Sequence, residues 1–114
     1  MNEVLKVLKE RRSCRRSNRA FAPEQITDEE LNAVLEAGTY APTARGQQSP
    51  IIVAVQNPAV VEQLRKMNAA VLGTPEADPF YGAPTVLVVL AARDNTNRVY
   101  DGSCVMSNPM KAAK

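Results

Sequence analysis

The chain contains no histidine and no tryptophan, and only 4% of its residues are aromatic. The absence of histidine removes Ser-His-Asp triads, HExxH metal sites and imidazole general bases. Chemistry must come from carboxylates, hydroxyls, thiols, backbone groups or a borrowed cofactor. Cysteine is scarce as well: Cys14 and Cys104 are far apart, and there is no CxxC pair. A disulfide framework would show more cysteines in a chain this small, and no zinc site is expected. This usage points to a reducing, cytoplasmic compartment. Long apolar runs are also missing. The longest, Val86 to Ala92, is too short to span a bilayer. The opening MNEVLKVLKE alternates charge with small apolar groups, which is not the pattern of a secretory signal. Net charge is only +2, too little to imply a nucleic-acid partner by itself.

What is present reads as one domain, 1–114, with the 45% hydrophobic and 23% charged balance of a soluble folded protein. Val4, Leu5, Val7 and Leu8 share one helical face. Thr27 with Glu30 is a capping-box pair. It opens a helix with Leu31, Val34 and Leu35 as its buried stripe and Gly38 as its stop. Ile51 to Val55 reads as a strand. Asn57 and Pro58 start a further helix with an expected stripe of Val60, Val61, Leu64 and Met67. VLVVLAA is too continuous to alternate and predicts a strand buried on both faces. Pro109 is expected to interrupt the last helical segment. Helices thus alternate with strands, and the fold class is α+β with a central sheet covered by helices. Only two strands are visible, so the sheet is expected to be incomplete.

Three stretches can carry chemistry. The first is ERRSCRRSN, Glu10 to Asn18, with four arginines around a serine and a cysteine. Arginine presents a planar fork of donors suited to phosphate oxygens, and Ser13 adds a small hydroxyl. A solvated basic face is the plain alternative, and charge alone does not separate the two. Nucleic acid is a third option, but no aromatic is interleaved for base stacking. Cys14 reads as a passive small residue, with no base or resolving cysteine nearby. The second stretch is APTARGQQSPIIVAV, a proline- and glycine-containing loop feeding a strand. Its paired amides, Gln47 and Gln48, suit the polar edge of a ring; a plain connection is the alternative. The third is Asn68, which on its own reads as a helix C-terminal cap.

Together these pieces resemble the flavin-dependent nitroreductase family. The resemblance rests on RRSCRRSN…F (Arg11 to Phe21), ITDEELNAVLEAGTYAPTARGQQSPIIVAV (Ile26 to Val55), KMNAA (Lys66 to Ala70), DPFYGAPTVLVVLA (Asp78 to Ala91) and YDGSCVMSN (Tyr100 to Asn108), in order and register. It implies an FMN-dependent oxidoreductase that takes hydride from NADH or NADPH and passes electrons to nitroaromatics, quinones or similar small-molecule acceptors. It also implies a nitroreductase-like fold and a homodimer with the flavin at the subunit interface, and no membrane or nucleic-acid partner. By position, Arg11, Arg12, Ser13 and Arg15 would hold the FMN phosphate and ribityl chain. Gln48 would approach the ring, Pro42, Thr43 and Ala44 would line it from the partner subunit, and Asn68 would bond near the pyrimidine edge. No catalytic side chain is implied, because the flavin carries the redox chemistry. Family domains continue past the DGS helix, so the chain is expected to hold the N-terminal portion of the fold. The alternative is an inactive fragment that only binds or dimerises.

Overall fold

The computed structural model describes residues 2–12 and 21–113. Ser13, Cys14 and Arg15 therefore lie outside the described residues. In chain order the elements are α1 (Glu3–Glu10), α2 (Asp28–Thr39), a 3-10 turn (Ala44–Gly46), β1 (Ile51–Val55), α3 (Pro58–Leu72), β2 (Val86–Leu90) and α4 (Arg98–Ala112). β1 and β2 pair in a two-stranded sheet. The chain divides into two compact units. One comprises Met1–Arg12, Thr27–Val53 and Val89–Lys114; the other comprises Ser13–Ile26 and Ala54–Val88.

In the first unit, α1 is capped by Asn2, whose side chain accepts the Leu5 N–H at 2.8 Å. Val7 is half-buried, whereas Val4, Leu5 and Leu8 stay exposed. The capping box at α2 forms in full. Glu30 N–H donates to Thr27 Oγ1 at 3.1 Å, and Thr27 N–H donates back to Glu30 Oε1 at 2.9 Å. The Thr27 backbone bond, followed by the one to its side chain, holds the Glu30 carboxyl below the usual carboxylate range. Leu31, Val34 and Leu35 turn inward as their spacing predicts.

Gly38 corrects the sequence reading. It is not a stop but a buried residue within α2, which continues to Thr39. A Cβ at Gly38 would fall 2.5 Å from Ile52 Cδ1 and 3.2 Å from Pro109 Cγ, so the glycine is there for close approach. Pro109 corrects it again, because α4 runs through it to Ala112. A helix-interior proline forfeits one backbone hydrogen bond. Here the ring is buried where α2 and α4 pack, and Ala113 N–H still reaches Pro109 O at 2.8 Å. Asn108 Nδ2 adds a bond to Ala37 O at 3.0 Å.

In the second unit, α3 opens at Asn57, whose side chain accepts the Ala59 and Val60 N–H groups at 2.9 and 3.4 Å. It ends at Gly73 in the left-handed conformation, φ 76°. The expected stripe is shifted. Val61 and Leu64 turn inward with Ala69, which is fully buried, while Val60 and Met67 are exposed. Arg65 is the half-buried polar member of that face. It grips Glu62 at 2.9 and 2.8 Å and donates to Ala77 O at 2.8 Å, which fastens the connection after the helix. The Glu62 hydrogen bond raises the Arg65 pKa, and Arg65 in turn lowers that of Glu62. Asp78 closes the turn before β2 by accepting from Phe80 and Gly82 N–H. Gln25 ties the preceding segment down through Gln56 O and Pro84 O, at 3.2 and 2.9 Å.

The strand VLVVLAA is not buried on both faces. Val86 to Val89 are half-buried and Leu90 is exposed. Burial on both faces needs a packed layer on each face, and among the described residues β2 pairs along one edge with β1 alone. The fold is thus α+β with an incomplete sheet, as the sequence predicts.

Candidate functional site

The loop between α2 and β1 is an irregular segment of the first unit held by several hydrogen bonds. It carries three left-handed residues close together: Arg45 (φ 56°), Gly46 (φ 64°) and Gln48 (φ 54°). For residues with a side chain this region is unfavourable, so the surroundings must impose it. Thr43 supplies part of that force. Its carbonyl accepts the Gly46 N–H at 3.0 Å, and its Oγ1 accepts the Gln48 N–H at 3.0 Å. Gln47 N–H turns back to Ala44 O at 3.2 Å. The loop amides of Ala44, Gly46, Gln47 and Gln48 are all spent within the protein, so the loop is not an anion-binding nest. What it offers outward is side chains. Gln48 and Pro42 are exposed, and Thr43 and Ala44 are half-buried. Gln48 also borders an open groove of ≈ 580 Å³ lined mainly by apolar groups, among them Leu35, Ile51, Ile52 and Val105.

The arginines end α1. Arg11 is its C-cap, with its backbone N–H on Val7 O at 3.0 Å. Arg12 turns its Nη1 onto Lys9 O at 2.7 Å and Arg11 O at 3.0 Å. A cation at a helix C-terminus is favourable there because the last carbonyls carry partial negative charge. An anion near this end would have to be held by guanidinium groups, since no helix N–H groups point that way. Of the four residues expected at a phosphate, Arg11 and Arg12 are thus placed at the end of α1, while Ser13 and Arg15 lie outside the described residues.

Asn68 belongs to the second unit. It is not a C-terminal cap, because α3 continues to Leu72 and Gly73 closes it. Its Nδ2 bonds Leu64 O at 2.8 Å, one turn back, and the residue is exposed.

Sequence reasoning missed two residues beneath the loop, Asp101 and Asn95, and their partner Ser49 within it. Asp101, only 4% exposed, accepts the Ala44 N–H on Oδ1 at 2.9 Å. Its Oδ2 accepts from Asn95 Nδ2 at 3.0 Å. The same Asn95 Nδ2 donates to Ser49 Oγ at 2.9 Å. DGS was visible as a motif, but nothing in its pattern said that the aspartate turns inward. Among the described residues no group of three or more His, Cys, Asp or Glu is arranged to hold a metal.

A model of the nitroreductase family matches residues 8–113 of the chain. Solved structures of nitroreductases share the fold. One from Bacteroides fragilis with bound FMN is 30% identical, with a TM-score of 0.86 over 99% of this chain and 65% of that one. Another with bound FMN, from Desulfitobacterium hafniense, is 29% identical, with a TM-score of 0.85 over 99% and 65%. An FMN-dependent nitroreductase from Clostridium difficile is 27% identical, with a TM-score of 0.82 over 98% and 55%. The chain spans less than two thirds of the length of each.

Proposed function

The chain belongs to the nitroreductase family, and from that premise we propose that it binds FMN and acts as an NAD(P)H-dependent oxidoreductase on nitroaromatics, quinones or similar small acceptors. The observation that carries the reading is the loop at Gln48. The amides of Ala44, Gly46, Gln47 and Gln48 are consumed internally and the loop's conformation is imposed, so that an exposed amide side chain stands on a rigid support beside an apolar groove. That donor set suits a ring with a polar edge and an apolar face. The arginines at the end of α1 suit a phosphate in the complementary way, by charge and planar forks rather than by backbone amides.

FMN, held by the residues named below, would supply the redox chemistry between donor and acceptor. The protein's own residues bind and orient. Arg11, Arg12, Ser13 and Arg15 hold the phosphate and ribityl chain. Gln48 hydrogen-bonds the ring, Pro42, Thr43 and Ala44 line it from the partner subunit of a homodimer, and Asn68 bonds the pyrimidine edge. Arg12 holds the end of α1 at the same time, through Lys9 O and Arg11 O. In this reading residues 1–114 form a single nitroreductase-like domain. A cytoplasmic home is part of the same proposal. Among the described residues no helix is long and apolar enough to cross a membrane. The exposed apolar residues of α1, with Val4 at 69%, favour a second copy as the partner.

The test is an FMN titration followed by flavin fluorescence and absorbance. Wild-type protein should bind FMN, Gln48→Ala should weaken it, and Arg11→Ala with Arg15→Ala should weaken it further. Unchanged affinity in the arginine double variant would sink the phosphate assignment, and no binding by the wild type would sink the cofactor reading.

A further inference from the structure

We infer that Asp101 is a positioning residue: one buried carboxylate grips the Ala44–Ser49 loop at both ends and so imposes the left-handed backbone between them. The inference rests on the reading above only in that this loop presents Gln48 to a cofactor.

The geometry is a two-armed clamp. One arm is direct, from Asp101 Oδ1 to the Ala44 N–H at 2.9 Å. The other runs through Asn95, whose Nδ2 donates to Asp101 Oδ2 at 3.0 Å and to Ser49 Oγ at 2.9 Å. The amide orientation of Asn95 follows from its own surroundings. Its Oδ1 accepts the Asn97 N–H at 2.9 Å, so its donor end must face Ser49 and Asp101. Arg45, Gly46 and Gln48, the three left-handed residues, all lie between the two gripped positions. Both donors that meet the Asp101 carboxyl oxygens are pointed at them. The Asp101 carboxylate is buried and these bonds are partly buried, so each costs more to lose than a bond at the open surface. Asp101 is itself held, because it stands in the first turn of α4 with its N–H on Asn97 O at 2.9 Å. The clamp therefore transmits the rigidity of α4 to a loop that has no regular structure beyond a single 3-10 turn.

Arg45 makes the loop its own reporter. Trypsin cleaves after arginine only when the segment opens into an extended form, which the clamp opposes. In the full-length protein, Asp101→Asn places an amide where an acceptor is needed, and at least one of the two arms is lost. Cleavage at Arg45–Gly46 should accelerate by about tenfold or more relative to cleavage after Lys66 in α3, which reports wider unfolding. Ser49→Ala removes the second arm and leaves the carboxylate in place. It should accelerate the Arg45 cut by about threefold with no change after Lys66, and it decides the matter if Asp101→Asn does not fold. Unchanged cleavage at Arg45 in Ser49→Ala, or equal acceleration at both sites, overturns the clamp. An FMN titration on the same samples separates the two ideas. Selective acceleration of the Arg45 cut in the variants, with a wild-type protein that binds no FMN, removes the cofactor reading and keeps the clamp. FMN binding by the wild type without selective acceleration in the variants does the reverse.

Discussion

Gly38 on α2 lies so close to Pro109 on α4 that a methyl group at Gly38 would come within 3.2 Å of the proline Cγ, and within 2.5 Å of Ile52 Cδ1. Helix α2, helix α4 and the start of β1 meet at this glycine, and it decides how closely they can pack. The contact also explains why both residues defied their sequence signals. A glycine that looks like a helix end is a contact surface, and a proline that looks like a helix break fills the space opposite.

Gly38→Ala is therefore expected to lower stability by about 1–3 kcal/mol through overpacking. Chemical denaturation of the variant checks this. Adding Ile52→Val removes the nearest carbon and should recover part of the loss. The proline ring cannot move as a side-chain tip can, so recovery should be incomplete. Full recovery would show that Pro109 is not part of the constraint.

Gly73 gives a contrasting case. A Cβ there would meet nothing within 4 Å, and the cost of substitution lies only in its φ of 76°. Gly73→Ala should lower stability by about 1 kcal/mol, and Gly73→Asn by less, because asparagine tolerates the left-handed region. Equal losses in the two variants would contradict a purely backbone origin.

Gln48 and Arg45 have the opposite relation to glycine. Both hold side chains in the left-handed region. Gln48→Gly and Arg45→Gly should each raise stability by up to about 1 kcal/mol. If Gln48 meets the flavin, its variant should also weaken FMN binding, whereas Arg45→Gly should leave FMN affinity near that of the wild type. A melting curve and an FMN titration on each variant measure both effects. Parallel behaviour of the two variants would count against a special role for the Gln48 side chain.

The start of α2 should sense acid. Thr27 holds the folded pKa of Glu30 below its ordinary value. Its contribution is complete above the ordinary carboxylate pKa of about 4.3 and is lost as pH falls through the lower folded value. Glu62, lowered by Arg65, contributes with the same sign. Glu30→Gln keeps a capping acceptor without the charge. It should melt somewhat below the wild-type temperature at neutral pH, fall less steeply below about pH 4.3 and converge with the wild type in acid. Thr27→Ala removes the cap itself and should cost about 1 kcal/mol across the whole range. A series of melting temperatures against pH separates the two.

The local elements were legible because their signals lie within a few residues. The Thr27–Glu30 box and the Asn57–Pro58 start satisfy their own backbone groups, so no distant partner could override them, while the Ile51 to Val55 strand was legible from its short apolar run although its backbone pairs with β2. The α+β class and the family resemblance follow from the same ordered signals. What the tertiary structure alone decided is which side chains turn inward. Asp101 reads as one polar residue in a helix, and its burial depends on Ala44, 57 positions earlier. Gly38 and Pro109 carry strong local tendencies that their mutual contact reverses. β2 looks doubly buried in sequence, yet its burial depends on what packs on its two faces, and Val86 to Val89 are only half-buried. Periodicity and capping act through covalent neighbours, while close approach and buried hydrogen bonds act through space. A sequence read along the chain therefore reaches the elements before it reaches the contacts that hold the site.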